Sequence, residues 1–236
     1  MRGVAARETV RGPAPGARVR GLTEPWASLP PGQKGMLAGL AALLLLVQID
    51  QPYPAVAPLH HLPTLLLLLT APFLLKRWPM SNGAVACVAL FFSLHTIGGR
   101  WTYTDVPYDS LAAALTGRSI SDAFGLGRNH YDRLVHLAYG LLAVLPAREA
   151  LVRHVGLGGR TALYIAVESV LAVSLLYEVF EWLLTLGMAG SVADRYNGQQ
   201  GDMWDAQKDM ALAAIGAVLA AAALAWRRRR GEQHGR

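Results

Sequence analysis

Six long apolar runs, separated by polar loops, constrain the fold of this chain more than any other feature of its sequence. A helix rises about 1.5 Å per residue, so it needs about 20 apolar residues to cross the ~30 Å hydrocarbon core of a bilayer. The first and third runs are shorter and need their polar flanks to reach the membrane interfaces. The pattern predicts an all-α fold, a polytopic membrane helix bundle with about six transmembrane helices. The runs lie at approximately 36–49, 59–75, 84–99, 134–152, 161–186 and 207–226.

The composition also indicates a protein of the lipid bilayer. Hydrophobic residues make up 53% of the chain and charged residues 16%, whereas about a quarter of a soluble domain is charged. The net charge is +6, but many basic residues lie before the first apolar run and after the last, so no nucleic-acid partner is expected. The single cysteine, Cys87, lies inside an apolar run. An intrachain disulfide is therefore excluded, and a cysteine metal site is disfavoured.

The distribution of basic residues predicts an orientation. Lys and Arg gather in cytoplasmic loops of membrane proteins, and here the loops 76–83 and 148–160 carry them while 50–58 has none. With six spans, both termini are predicted to be cytoplasmic. A cleaved signal peptide is the alternative for the first run, and it would leave five spans. The expected regions are a disordered basic tail at 1–33, the six-helix transmembrane domain at 34–226 and a basic cytoplasmic tail at 227–236.

In this topology, ionisable residues from four helices come to one depth near the extracytoplasmic surface. At ~100° per residue, Asp202, Asp205 and Asp209 fall on one stripe of the sixth helix. Spacings of three or four residues give the other members shared faces in the same way. If each face turns inward, the bundle holds a polar cluster near its outer mouth. Its candidate members are His95, Asp132, His136, Glu178, Glu181, Asp202, Asp205 and Asp209.

Such a cluster needs positive charge, because carboxylates at low dielectric repel one another. Arg100, Arg133 and Lys208 are the candidate counter-ions, and they are fewer than the carboxylates. A divalent metal ion is therefore a candidate cofactor. Carboxylate oxygens with one or two imidazoles suit Mg²⁺, Mn²⁺, Fe or Zn²⁺.

Structural roles compete with this interpretation for several of the residues. Asp202 or Asp205 could be a helix N-cap, and Asp132 with Arg133 could be a loop ion pair of little energetic value. Histidines at a membrane edge are usually interfacial, and this is the expectation for the pair at 60–61.

Four sequence blocks resemble the signature blocks of the YjdF-like family, a bacterial inner-membrane family classed as a domain of unknown function. They are "LHTIGGRWTYTDVPY" (94–108), "RNHYDRLVHLAYG" (128–140), "YEVFEW" (177–182) and "GQQGDMWDAQKDM" (198–210). Trp101 and Ala206 depart from the family pattern without removing an ionisable group. A more distant similarity is to the VanZ-like membrane proteins. The resemblance implies a multi-pass protein of the bacterial cytoplasmic (inner) membrane with a shared site. The matching residues are His95, Tyr103, Arg128, Asn129, Tyr131, Asp132, Arg133, His136, Glu178, Glu181, Asp202, Trp204, Asp205 and Asp209.

Three functions fit these features. The first is a metal-dependent enzyme acting on a lipid or lipid-linked head group at the outer leaflet, in which Arg128 and Arg133 hold an anionic head group. The second is a proton- or cation-coupled transporter that includes Glu168, although that residue could instead extend to the cytoplasmic interface. The third is a non-catalytic scaffold knitted together by its polar network. The candidate catalytic residues are Glu178, Glu181, Asp205, Arg128 and Arg133.

Overall fold

The described part of the chain is helical. The computed structural model describes residues 24–187, 190 and 196–234, and no strand occurs among them. The five longest helices are long and apolar enough to cross a membrane, and Pro31–Leu46 is a shorter apolar helix. The prediction of an all-α, polytopic membrane protein is confirmed. The helices are α1 (Pro31–Leu46), α2 (Ala57–Arg77), α3 (Asn82–Arg100), α4 (Tyr108–Thr116), α5 (Ile120–Phe124), α6 (Tyr131–His154), α7 (Gly159–Gly187) and α8 (Asp205–His234).

The first helix is short but extends as far as its neighbour α3. Its 16 residues span about 24 Å at ~1.5 Å per residue. Gln33 Nε2, near its start, donates to the Met80 carbonyl just before α3, over 2.9 Å. Arg100 at the end of α3 donates to the carbonyl of Val47, just after α1, over 2.6 Å. With its flanking turns, α1 therefore runs alongside the whole of α3.

Ordered structure extends into both predicted tails where the chain is described. Residues 1–23 and 235–236 lie outside the described residues. Within the predicted tail 1–33, Leu29 is only 4% exposed and packs with Leu37 and Ala71. At the other end α8 continues past residue 226 as far as His234.

The loop at 100–133 contains two short helices that the apolar pattern did not predict. Helix α4 ends at Gly117, which has φ +78°. The Ser119 side chain caps α5 by accepting from the Asp122 backbone N–H. Asp109 of α4 accepts from both the backbone N–H and the hydroxyl of Ser121, over 2.8 and 2.5 Å, which joins the two helices.

Helix α6 is the centre of the bundle, because it packs against α3, α7 and α8. Its crossing with α8 is close. A Cβ atom at Gly140 would lie 2.7 Å from the Ala217 backbone nitrogen, and one at Gly216 would lie 2.8 Å from that of Leu141. Small residues allow this backbone approach, which adds van der Waals contact where lipid offers no hydrophobic drive for helix association. Val144, Ala166, Val170 and Ala217 form the core on this side.

Candidate functional site

The polar cluster is organised around Arg128, directly before α6. Its guanidinium donates to Asp205 Oδ1 over 2.5 Å and to Asp132 Oδ2, one helical turn along the chain. It also donates to the carbonyls of Gln199 and Gly198, and its Nε donates to the Asn129 carbonyl. Burial by itself lowers the pKa of Arg128, but the two carboxylates outweigh this effect and raise it. Arg128 is therefore a permanent, buried cation whose nitrogens all have acceptors.

The loop before α8 is folded so that its carbonyls reach Arg128. Gly198 and Gly201 have φ values of +70° and +81°, in the left-handed region that glycine adopts without strain. The Gln200 side chain accepts from the Asn129 backbone N–H and donates to the Asn129 carbonyl, both over 3.0 Å. The "GQQGD" block therefore joins the start of α8 to the start of α6 through hydrogen bonds.

Asp202 lies at the outer edge of the cluster and is well paired. Its carboxylate accepts from Arg133 over 2.5 Å and from Lys208 over 2.6 Å, and also from the Trp204 backbone N–H over 3.1 Å. The hydrogen bond from Lys208, then that from Trp204, lowers the pKa of Asp202 to about 2. Asp202 thus precedes α8 with one local turn bond and ion pairs to Arg133 and Lys208. Asp205, in contrast, is 4% exposed and bonded to Arg128.

A second set of groups lies deeper and has no such pairing. His136 Nδ1 lies 3.7 Å from Glu178 Oε1. Ligand atoms of His136, Glu178 and Asp209 all lie within 4.8 Å of one another, and the same holds for Asp132, Asp205 and Asp209. Among the described residues, neither Glu178 Oε1 nor Asp209 Oδ1 has a hydrogen-bond partner. Both side chains are buried, at 8% and 4% exposed.

Two predicted members lie close by but outside these sets. His95 Nε2 lies 2.8 Å from the His60 carbonyl, which can only accept, so Nε2 carries the proton. Nδ1 then accepts from the Tyr103 hydroxyl. Both ring nitrogens of His95 are therefore used in hydrogen bonds. His95 borders a cavity beside the cluster but belongs to neither ligand set. Glu181 also borders that cavity without belonging to a ligand set.

Two further sequence expectations do not match the structure, and of the two alternatives for Glu168 the structure fits one. Arg100, a candidate counter-ion, instead donates to the carbonyls of residues 47, 49 and 50 because it ends α3 beside α1. Arg133 pairs through its side chain with Asp202 and not with Asp132. Glu168 is exposed on α7 and does not border the cavity, which fits an interfacial position better than a proton path.

A cavity of about 410 Å³ opens beside the unpaired groups. It lies over α6 between α3 and α7, which both pack against α6. Polar residues border one end, and apolar residues line the rest. The polar border includes His95, Asp132, His136, Glu181 and Asp209.

The structure corrects the prediction for the histidine pair. His60 and His61 are 1% and 5% exposed, so they are buried and not interfacial. The His60 ring stacks on Tyr196, with ring centres 4.4 Å apart. Gly99 leaves space for the His60 side chain, since a Cβ atom at position 99 would lie 2.8 Å from His60 Cβ. In the sequence, the adjacent histidines inside an apolar run and the "GG" of the third run are the features that indicate this burial.

Comparisons with known proteins agree with this architecture. The family model described as "Predicted membrane protein (DUF2238)" matches residues 33–230. The chain belongs to this family. It is similar to the inner membrane protein YjdF of Escherichia coli (strain K12), with 39% identity over 154 residues that cover 65% of this chain and 68% of the relative. No solved structure matches. The resemblance noted from the sequence is confirmed, and the protein is a multi-pass protein of the bacterial inner membrane.

Proposed function

We propose that this protein is a membrane-embedded, metal-dependent enzyme that acts on the head group of a lipid or lipid-linked substrate. The observation that carries the proposal is the pair of buried carboxylates, Glu178 and Asp209, which lie beside His136 and each have an oxygen without a hydrogen-bond partner among the described residues. Burying an unpaired charge at low dielectric costs several kcal/mol. A bound cation would remove that penalty.

Charge distribution favours one metal ion over two. The two ligand sets share Asp209, which is the geometry of a bridging carboxylate in a two-metal site. However, Arg128 already bonds to Asp132 and Asp205 of the second set. Its guanidinium supplies the positive charge that a second ion would bring. The first set, with one imidazole and two carboxylates, is left for a single ion such as Mn²⁺, Fe²⁺ or Zn²⁺.

The chain's own residues divide the remaining tasks. A divalent ion in such a site polarises a phosphoryl or carbonyl oxygen or activates a water molecule. Glu181 borders the cavity outside the ligand set and would accept or donate a proton at the substrate. Arg128 has no free donor and positions the carboxylates. Arg133 has a buried Nε with no hydrogen-bond partner in the described part of the chain and is the better candidate for binding an anionic head group.

Elemental analysis of detergent-purified protein tests the proposal. We expect about one transition-metal ion per chain, and its loss in Asp209→Asn and His136→Ala. Asp202→Asn is the matched control, because Asp202 is paired with Arg133 and Lys208 and should not affect metal content. Native protein that is folded, holds no metal and takes up none from solution would contradict the proposal.

The network around Arg128 favours a second hypothesis, that the cluster is a non-catalytic scaffold. Thermal unfolding distinguishes this hypothesis from the metal-dependent enzyme. If Asp209 is a metal ligand, Asp209→Asn relieves charge repulsion and should leave the metal-free protein at least as stable. Metal should then stabilise the native protein, by about 2.7 kcal/mol at a hundredfold excess over Kd, but not the variant. If the cluster is only a scaffold, the variant loses stability and metal has no effect on either protein.

A further inference from the structure

The cavity has the length of one lipid leaflet. Its lining residues on α6 run from Asp132 to Pro146, a distance of about 21 Å at ~1.5 Å per residue. One leaflet, with its head-group region included, accounts for about half of the ~40–45 Å thickness of a bilayer. A ligand that fills the cavity along α6 would therefore extend through the depth of a leaflet.

The lining changes from polar to apolar along this length. Asp132 and His136 lie at the end of the cavity nearest the start of α6, together with Asp209 at the start of α8. At the other end, Ala143 and Pro146 of α6 face Cys87 of α3. This is the polarity of a membrane lipid, with a polar head and an apolar chain.

The cavity is open at the side. Helices α3 and α7 both pack on α6, and in the described part of the chain they have no extensive contact with each other. Pro63 of α2 and Val173 of α7 line the cavity and are exposed, Val173 by 51%. In a membrane-spanning bundle, such an opening faces the acyl chains of the bilayer.

We propose that this cavity holds one acyl chain of a membrane lipid, with the lipid head group beside His136 and Asp209. This binding mode rests on the proposed function and names its substrate class. A cavity of about 410 Å³ has the size of a small-molecule ligand pocket, which is typically about 300–1,000 Å³, and not that of a docking groove for a partner helix. A polar solute does not suit the apolar wall.

The acyl chain would contribute to the orientation of the bound lipid more than to its affinity. Moving an acyl chain from the bilayer into an apolar cavity exchanges one apolar environment for another, so the hydrophobic gain is small. Holding the chain in a fixed groove, however, fixes the head group against the ligand set, and positioning of this kind accelerates a reaction. Residues of the apolar wall would then decide which chains are accepted.

Photo-crosslinking in nanodiscs tests the proposal. The probe is a phosphatidylethanolamine with a diazirine in one acyl chain, and the readout is the set of labelled peptides found by mass spectrometry. We expect labelling of the inner wall at Cys87 and Ala143, severalfold lower in Val173→Trp, which fills the opening. Leu175→Trp is the matched control, because Leu175 lies on the same helix, is also 51% exposed and does not line the cavity.

The outcomes separate this proposal from the metal site. Inner-wall labelling that Val173→Trp reduces and Leu175→Trp does not reduce supports the lipid groove, even if elemental analysis finds no metal. Labelling confined to the outer faces of the helices, or lowered equally by the two variants, overturns it. Metal content should be unchanged in Val173→Trp, so loss of the groove with a full metal site would leave the proposed metal chemistry standing.

Discussion

Arg128 shows how a single side chain can hold several elements together. Its five donors are pre-organised in a planar fork, so one residue can bond to carboxylates and carbonyls from different segments at once. Here the fork joins Asp132 of α6, Asp205 of α8 and the carbonyls of the loop before α8. Lysine would keep the charge but could not bridge these acceptors. The residue is thus a structural cation beside the candidate metal site.

Removing Arg128 should destabilise the protein strongly. Arg128→Ala removes the nearest cation from Asp132 and Asp205, which are 6% and 4% exposed. Breaking a buried ion pair costs about 3–5 kcal/mol, and thermal unfolding in detergent measures this loss. Arg118→Ala, at an exposed position in the same region, should have little effect. Added divalent metal should partly rescue Arg128→Ala and raise its content toward about two ions per chain. Equal stability of the two variants would refute this role.

At the scale of the elements, the crossing of α6 and α8 fixes the geometry of the site. Gly140 lies one turn beyond His136 on α6, and Ala213, whose carbonyl a Cβ at Gly140 would meet, lies one turn beyond Asp209 on α8. The closest approach of the two backbones is therefore adjacent to two candidate ligands. Any substitution that separates the helices here also separates His136 from Asp209.

Gly140→Ala should lower both stability and metal content. The added methyl group overlaps the α8 backbone, and overpacking of this kind costs about 1–3 kcal/mol. Thermal unfolding and elemental analysis of the same preparation measure the two effects. Gly39→Ala in α1 is the control, because nothing lies within 4 Å of a Cβ atom at that position. A variant at Gly140 that keeps full metal content would show that the crossing does not control the site.

For the whole molecule, the apolar runs predicted the membrane helices well because run length and polar flanks decide where a helix can cross. The run at 134–152 became Tyr131–His154, and that at 161–186 became Gly159–Gly187. Helical periodicity predicts that Asp205 and Asp209 share one face of α8, and in the structure ligand atoms of both lie within 4.8 Å of one on Asp132.

Pairing within the cluster could not be predicted in the same way. It depends on how each helix is rotated and on the path of loops such as 196–204, which local patterns do not determine. For this reason the sequence favours Arg100 as a counter-ion, whereas in the structure Arg128 pairs with the acids and Arg100 bonds to carbonyls beside α1.

The number of helices that cross the membrane decides on which side of the membrane the site lies. Since α1 is joined to both ends of α3, we expect it to cross with the five longer helices, which places both termini on one side. The basic residues at 76–77, 148–160 and 227–230 identify that side as the cytoplasm. Reporter fusions at either terminus should therefore be cytoplasmic, and one inserted after Arg118 should be extracytoplasmic. Termini on opposite sides would mean that α1 does not cross, and two external termini would place the site at the inner leaflet.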